Sequence, residues 1–292
     1  MTTTHHGINS PPVQGATPLG QPETIKIILD RSQRPTRTVP IRRAFLQREV
    51  GKGKMKTPGA LAHLVRRSAK RPLDLYLLLS AVTSGGDFSV TEWSTTWSRS
   101  VGIFDETAGT AAVSRAWRVL KELGLVTRTR GEGGKSTITK LHEDGSGRRY
   151  TSPGERVGDP YFQLAYEYWD KGWHNTLSLP AKAMLLIASN QRKLEFTLPQ
   201  ERIPDWYGIS ADSAGKGIRE LSKHGILVQV DEEWFDTLKT RSGRGLRPVY
   251  SLLPPFTPRA LGGSAAYEET ATELLSGTAS KNELSSGTAS KT

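Results

Sequence analysis

Two sets of hydrogen-bonding side chains recur at the same helical spacing in this chain of 292 residues. Ser114, Arg115 and Arg118 form the first set; Ser213, Lys216 and Arg219 form the second. Arginine and lysine on one helical face can bond guanine edges or phosphate oxygens in the major groove of double-stranded DNA. Small neighbours let the backbone come close, and Ala111 and Gly217 are expected to serve that purpose. The N-terminal half of a reading helix usually meets the bases. Ser114, Arg115, Ser213 and Lys216 are therefore expected on base edges, and Arg118 and Arg219 on phosphates.

The elements that must hold these groups are also written twice. Residues 102–127 and 208–230 come into register when Gly124 is set over Gly225. Val113, Trp117 and Leu120 then overlie Ala214, Ile218 and Leu221, one apolar helical face at i, i+4 and i+7. A glycine stops each helix, as a left-handed cap requires. In the first copy, helices are expected over 72–84 and 110–123, with a Ser89-to-Glu92 capping box starting a helix between them. A basic hairpin of 125–130 and 136–141 carries Arg128, Arg130 and Lys135. In the second copy, a helix over 177–189 and a capping box at Thr197 to Gln200 precede the reading helix. Its strands, 226–230 and 248–253, flank a loop with Arg241, Arg244 and Arg247. Wing cations of this kind hold backbone or reach a minor groove. Asp231, Glu232, Glu233 and Asp236 would repel phosphate, which makes the second copy the weaker DNA candidate.

Helix, glycine stop, strand and basic hairpin form the second half of a winged helix-turn-helix. The expected fold is mainly α with small β-wings, in two tandem winged helix-turn-helix domains between disordered N-terminal and C-terminal tails. The boundaries are a mostly disordered 1–30, a basic arm 31–71, a first domain 72–143, a linker 144–159, a second domain 160–256 and a low-complexity tail 257–292. The tail repeats a ten-residue Ser/Thr/Gly-rich unit and is given no function. Within the N-terminal part, 24–29 reads as a short strand, 41–50 as a short helix, 51–58 as irregular, and 58–68 as a helix.

The formal net charge is +11, and residues 31–71 hold thirteen Lys/Arg against one Glu. Arg42, Arg43, Lys52, Lys54 and Lys56 of that arm are accordingly expected on phosphates. The chain has no cysteine, which removes disulfides and thiolate sites. The longest apolar run, 73–82, is far too short for a bilayer. A soluble, cytoplasmic protein is expected, with no membrane partner.

Several patterns are set aside. Residues 129–136, TRGEGGKS, miss the first glycine of a phosphate loop and precede a strand rather than a helix. Apart from His5 and His6, no histidines pair at metal-ligand spacing, so no metal site is expected. Trp169 and Trp173 are expected buried between the domains, and Trp93, Trp97 and Trp117 in a core. No Ser/His/Asp grouping or carboxylate pair suggests catalysis, and no small-molecule cofactor is evident.

Residues 161–189 resemble the opening of winged-helix domains in plasmid replication initiators, through Leu177-Ser178, Ala181-Lys182 and Leu185-Leu186. Residues 208–230 continue the pattern, which covers about a third of the chain and also occurs in bacterial transcription regulators. The resemblance implies DNA binding. The function expected is sequence-specific binding of double-stranded DNA by a non-enzyme, in transcriptional regulation. The alternatives are a plasmid or mobile-element replication initiator that binds origin repeats, and an interaction adaptor whose arm binds nucleic acid without sequence preference. Double-stranded DNA is the expected partner, and a homodimer is admitted.

Overall fold

The computed structural model describes residues 19–51, 55–131, 134–155 and 158–258. Helix α1 (Gln21–Arg31) opens it, with Pro22 in its first turn and Thr24, Ile25, Ile28 and Leu29 buried. The apolar spacing i, i+3, i+4 is helical, so the strand expected at 24–29 is replaced by a helix. Strand β1 (Thr38–Arg42), a 3-10 turn (Arg43–Phe45), the hairpin β2 (Gln47–Val50) and β3 (Met55–Pro58), and α2 (Ala60–Arg66) follow. Residues 41–50, read as a helix, are thus mostly strand. Pro40, Ile41 and Arg42 take cross-strand partners more than a hundred residues away, which local patterning does not reveal.

The first copy is α3 (Lys70–Val82), β4 (Ser89–Glu92), α4 (Ser94–Ser100), α5 (Glu106–Glu122), β5 (Val126–Arg130) and β6 (Ser136–Lys140), with sheet order β4-β6-β5. Between the copies lie β7 (Tyr161–Ala165), α6 (Glu167–Asp170) and α7 (Trp173–Thr176). The second copy is α8 (Leu179–Ser189), β8 (Glu195–Thr197), α9 (Ile203–Tyr207), α10 (Ala211–Lys223), β9 (Leu227–Asp236) and β10 (Arg244–Leu252), ordered β8-β10-β9. Element order and sheet order are the same in both copies. The lead-in strands pair with each other, β1 antiparallel to β7 from Thr38↔Ala165 to Arg42↔Tyr161.

The chain is therefore mixed α/β, 41% helical and 24% strand in four small sheets, rather than mainly α with small wings. The first expected capping box is strand instead, and of the second only Thr197 belongs to a strand, the end of β8. Ser89 to Glu92 pair with Thr139 to Ser136, and Glu195 to Thr197 pair with Ser251 to Val249. The neighbouring strands β6 and β10 offer these segments a ladder for their backbone N–H and C=O groups.

One apolar cluster runs from Ile25 through both copies to Phe256. Val113, Trp117 and Leu120 are buried in it, as are Ala214, Ile218 and Leu221. Gly124 and Gly225 end α5 and α10 at φ +66° and +65°, left-handed values that a side chain resists. Gly217, expected on the outer face, points inward. A Cβ there would lie 2.5 Å from the Pro180 carbonyl oxygen, so its absence lets α10 lie against α8. Trp97 and Trp117 meet edge-on at 5.3 Å. Trp169 is 5% exposed, whereas Trp93 is 46% exposed and lies outside the core assigned to it.

Two buried charge clusters hold the fold, one fastening β1 to the end of the first copy and the segment after it, the other joining the two copies. Arg42 bonds Glu143 at 2.7 Å, both Asp159 carboxylate oxygens at 2.9 Å, and Thr151 Oγ1 at 2.9 Å. Lys140 reaches the same Glu143 at 3.1 Å, and both cations lie over the Tyr150 ring. The described part of 144–159, expected as a linker, is thereby fixed in place. Its Arg149 also bridges Leu141, and Tyr150 is buried. In the other cluster, Lys182 on α8 donates to Asp74 on α3 and to the His174 carbonyl.

Burial, reinforced by the Lys182 charge, holds the His174 imidazole down to about 4. An unfolded chain takes up this proton near pH 6.5. Between those values the unfolded state binds more protons, so stability falls as the pH drops from about 6.5 toward 4. The expected loss from pH 7 to pH 5 is about 2 kcal/mol more than in a His174→Phe variant. Urea titrations at the two pH values check this, and an equal loss in both proteins would contradict it.

Candidate nucleic-acid interface

Helix α5 begins four residues earlier than expected, because the Asp105 side chain caps it by accepting from the Ala108 amide at 2.6 Å. Its buried face holds Gly109, Ala112, Val113, Ala116, Trp117 and Leu120. The opposite face leaves Ala111, Arg115 and Arg118 exposed and Ser114 half-buried. Among the described residues, Arg115 and Arg118 make no ion pair or hydrogen bond. Their charge is left to solvent or a ligand.

The hairpin β5–β6 lies beside this face. Arg128 donates to Ser114 Oγ at 3.2 Å from one nitrogen and to Ser136 Oγ from two others. One guanidinium thus fastens helix to hairpin. This corrects the roles expected for Ser114 and Arg128: the serine oxygen is already an acceptor, and the arginine is a brace. Arg130 at the end of β5 is exposed. Lys135 lies over the Trp93 ring at 5.6 Å. Trp93 thereby joins the basic edge as an aromatic face that the sequence reading placed in the core. Its position between Glu92 and the polar run Ser94-Thr95-Thr96 was the available signal.

The second copy is less open. Ser213 is bound into the start of α10, where its amide donates to Ser210 Oγ and its own Oγ accepts from the Ser210 hydroxyl. Lys216 pairs with Asp212 at 2.8 Å, one turn earlier. Arg219, Arg241 and Arg244 are exposed, but so are Asp231, Glu232, Glu233 and Asp236 on β9. Arg247 is held by Glu233 at 2.9 Å.

The basic arm is largely spent on the protein itself. Arg42 is 1% exposed and ion-paired, so it touches no phosphate. Arg43 donates to Asn190 at 3.3 Å, and Lys56 lies 4.0 Å over the Trp206 ring. Lys52 and Lys54 lie outside the described residues. Arg34 caps α3 by donating to the carbonyls of Ser80, Ala81 and Thr83. Arg66 donates to the Gly208 carbonyl, Arg37 pairs with Asp170, and Arg31 pairs with Glu92. The charge excess of 31–71 is matched by acceptors far along the chain, which a count over one segment cannot show.

No helix among the described residues is long and apolar enough to cross a membrane. Comparison with protein-family models and with curated proteins gives no match.

Proposed function

We propose that this chain is a non-enzymatic, sequence-specific binder of double-stranded DNA that acts in transcriptional regulation. Helix α5 enters the major groove of the duplex, and the hairpin β5–β6 acts as its wing. The observation that carries the reading is the arginine pair Arg115 and Arg118, unpartnered among the described residues, on the outer face of a 17-residue capped helix braced against a basic hairpin. Arg115 supplies base contact, Arg118 and Arg130 hold phosphates, and Lys135 with Trp93 follows the groove edge. The second copy contributes through Arg219 and Arg241, and its acidic β9 keeps that contribution the smaller one.

Selection of bound duplex from a random pool, followed by footprinting, tests the reading. A single palindromic protected site is expected. Arg115→Ala should then reduce the preference for the selected site over random duplex by about 10- to 100-fold. Lys216→Ala should change it less, because Asp212 already neutralises that lysine. Unchanged discrimination in Arg115→Ala would refute the assignment. A second reading, origin recognition by a replication initiator, draws on the resemblance of residues 161–189 and would give protection of direct repeats. Uniform protection that collapses with salt would instead favour a non-specific adaptor.

A further inference from the structure

The far half of the hairpin β9–β10 stands clear of the rest of the sheet. Strand β8 covers only Val249 to Ser251 of β10, while the hairpin continues to Asp236↔Arg244. Its two faces differ. On one, the Phe235 ring lies across Gly245, Arg247 sits 5.1 Å over the ring, and Glu233 pairs with Arg247. That face is closed on itself. On the other, Trp234 and Leu246 are directly opposed, at 66% and 44% exposure, and Leu238 beyond them is fully exposed. Cross-strand neighbours share a face, so Asp236↔Arg244 and Glu232↔Pro248 bracket the bare pair.

We propose that this face docks a second copy of the chain about a two-fold axis parallel to the strands. Such an axis lays β9 of one copy over β10 of the other. Trp234 then covers Leu246 of the second copy, and Asp236 meets its Arg244. The patch is self-complementary in both apolar surface and charge, as an isologous interface requires. Edge-to-edge pairing is disfavoured. The outer edge strand β9 carries Asp231, Glu232, Glu233 and Asp236, which two copies would bring together. Nucleic acid is a poor occupant for the same reason.

Sedimentation of the full chain without DNA tests the proposal separately from the DNA reading. A dimer dissociating at about 1–50 μM is expected for so small a patch. Trp234→Glu should raise its Kd by about 30-fold or more. Asp236→Arg alone should weaken it, and adding Arg244→Asp should restore it, while thermal melting stays near that of the native chain. A monomer up to roughly 200 μM would overturn the proposal and leave the face to a different partner. So would a dimer that Trp234→Glu does not weaken, or a charge swap that fails to restore association in a folded protein.

Discussion

Arg42→Ala is expected to lower the stability of the folded chain by about 3–5 kcal/mol. Arg42 is 1% exposed, and its guanidinium is the common partner of Glu143, Asp159 and Thr151. Glu143 is fully buried. Without Arg42 it keeps only Lys140, and a buried carboxylate left short of partners costs far more than a surface one. The alanine also leaves Tyr150 without one of the two cations on its ring. Urea denaturation followed by far-UV circular dichroism measures the loss. Arg48→Ala, also within 31–71 but on an exposed strand, is the control and should change stability by less than about 0.5 kcal/mol. A loss below about 1 kcal/mol for Arg42→Ala would mean that the cluster is open to water.

Lys182→Met should cost a similar amount, about 3–5 kcal/mol at neutral pH. The methionine matches the stem of the lysine but strands Asp74, which α3 presents at the junction with α8. Burial pushes the Asp74 carboxyl up, with Lys182 opposing that shift. Without the lysine the folded state holds the Asp74 proton more tightly than the unfolded chain does. A group raised in this way favours folding at acid pH and loses that effect as the pH rises through its folded value. His174, relieved of a neighbouring cation, moves the same way. The stability gap between variant and native protein should therefore narrow on acidification. Asp74→Asn added to Lys182→Met should recover a large part of the loss at pH 8. A gap that widens toward acid, or no recovery in the double variant, would contradict the assignment.

The two clusters show where sequence reading stops. The duplicated apolar register of Val113, Trp117 and Leu120 with Ala214, Ile218 and Leu221 was legible because helical periodicity is local. So were the glycine stops at Gly124 and Gly225, whose conformation depends on neighbours in sequence. Arg115 and Arg118 were legible as an outer face for the same reason. Arg42 was not, because its acceptors lie 101 and 117 residues further on. As a charge in a basic run it resembles a phosphate contact; only the fold reveals a neutralised interior. Ser89 to Glu92 satisfies a helix-capping rule and is nevertheless a strand, and Thr197, the cap expected in the second copy, ends strand β8, since β6 and β10 offer ladders that no short window displays. Trp93 was placed inside by its size, yet the hairpin passes beside it instead of over it.

The pairing of β1 with β7 sets an order on assembly during synthesis. Arg42 leaves the ribosome 123 residues before Ala165, as 165 minus 42 gives. At about 5–20 residues per second that interval is roughly 6–25 s. Throughout it, Val39 and Ile41 have no strand to join, although helices from the first copy are already emerging. A nascent chain stopped before Tyr161 already holds Glu143, Thr151 and Asp159, the acceptors of Arg42, but it carries an open strand edge at Val39 and Ile41 that only β7 covers.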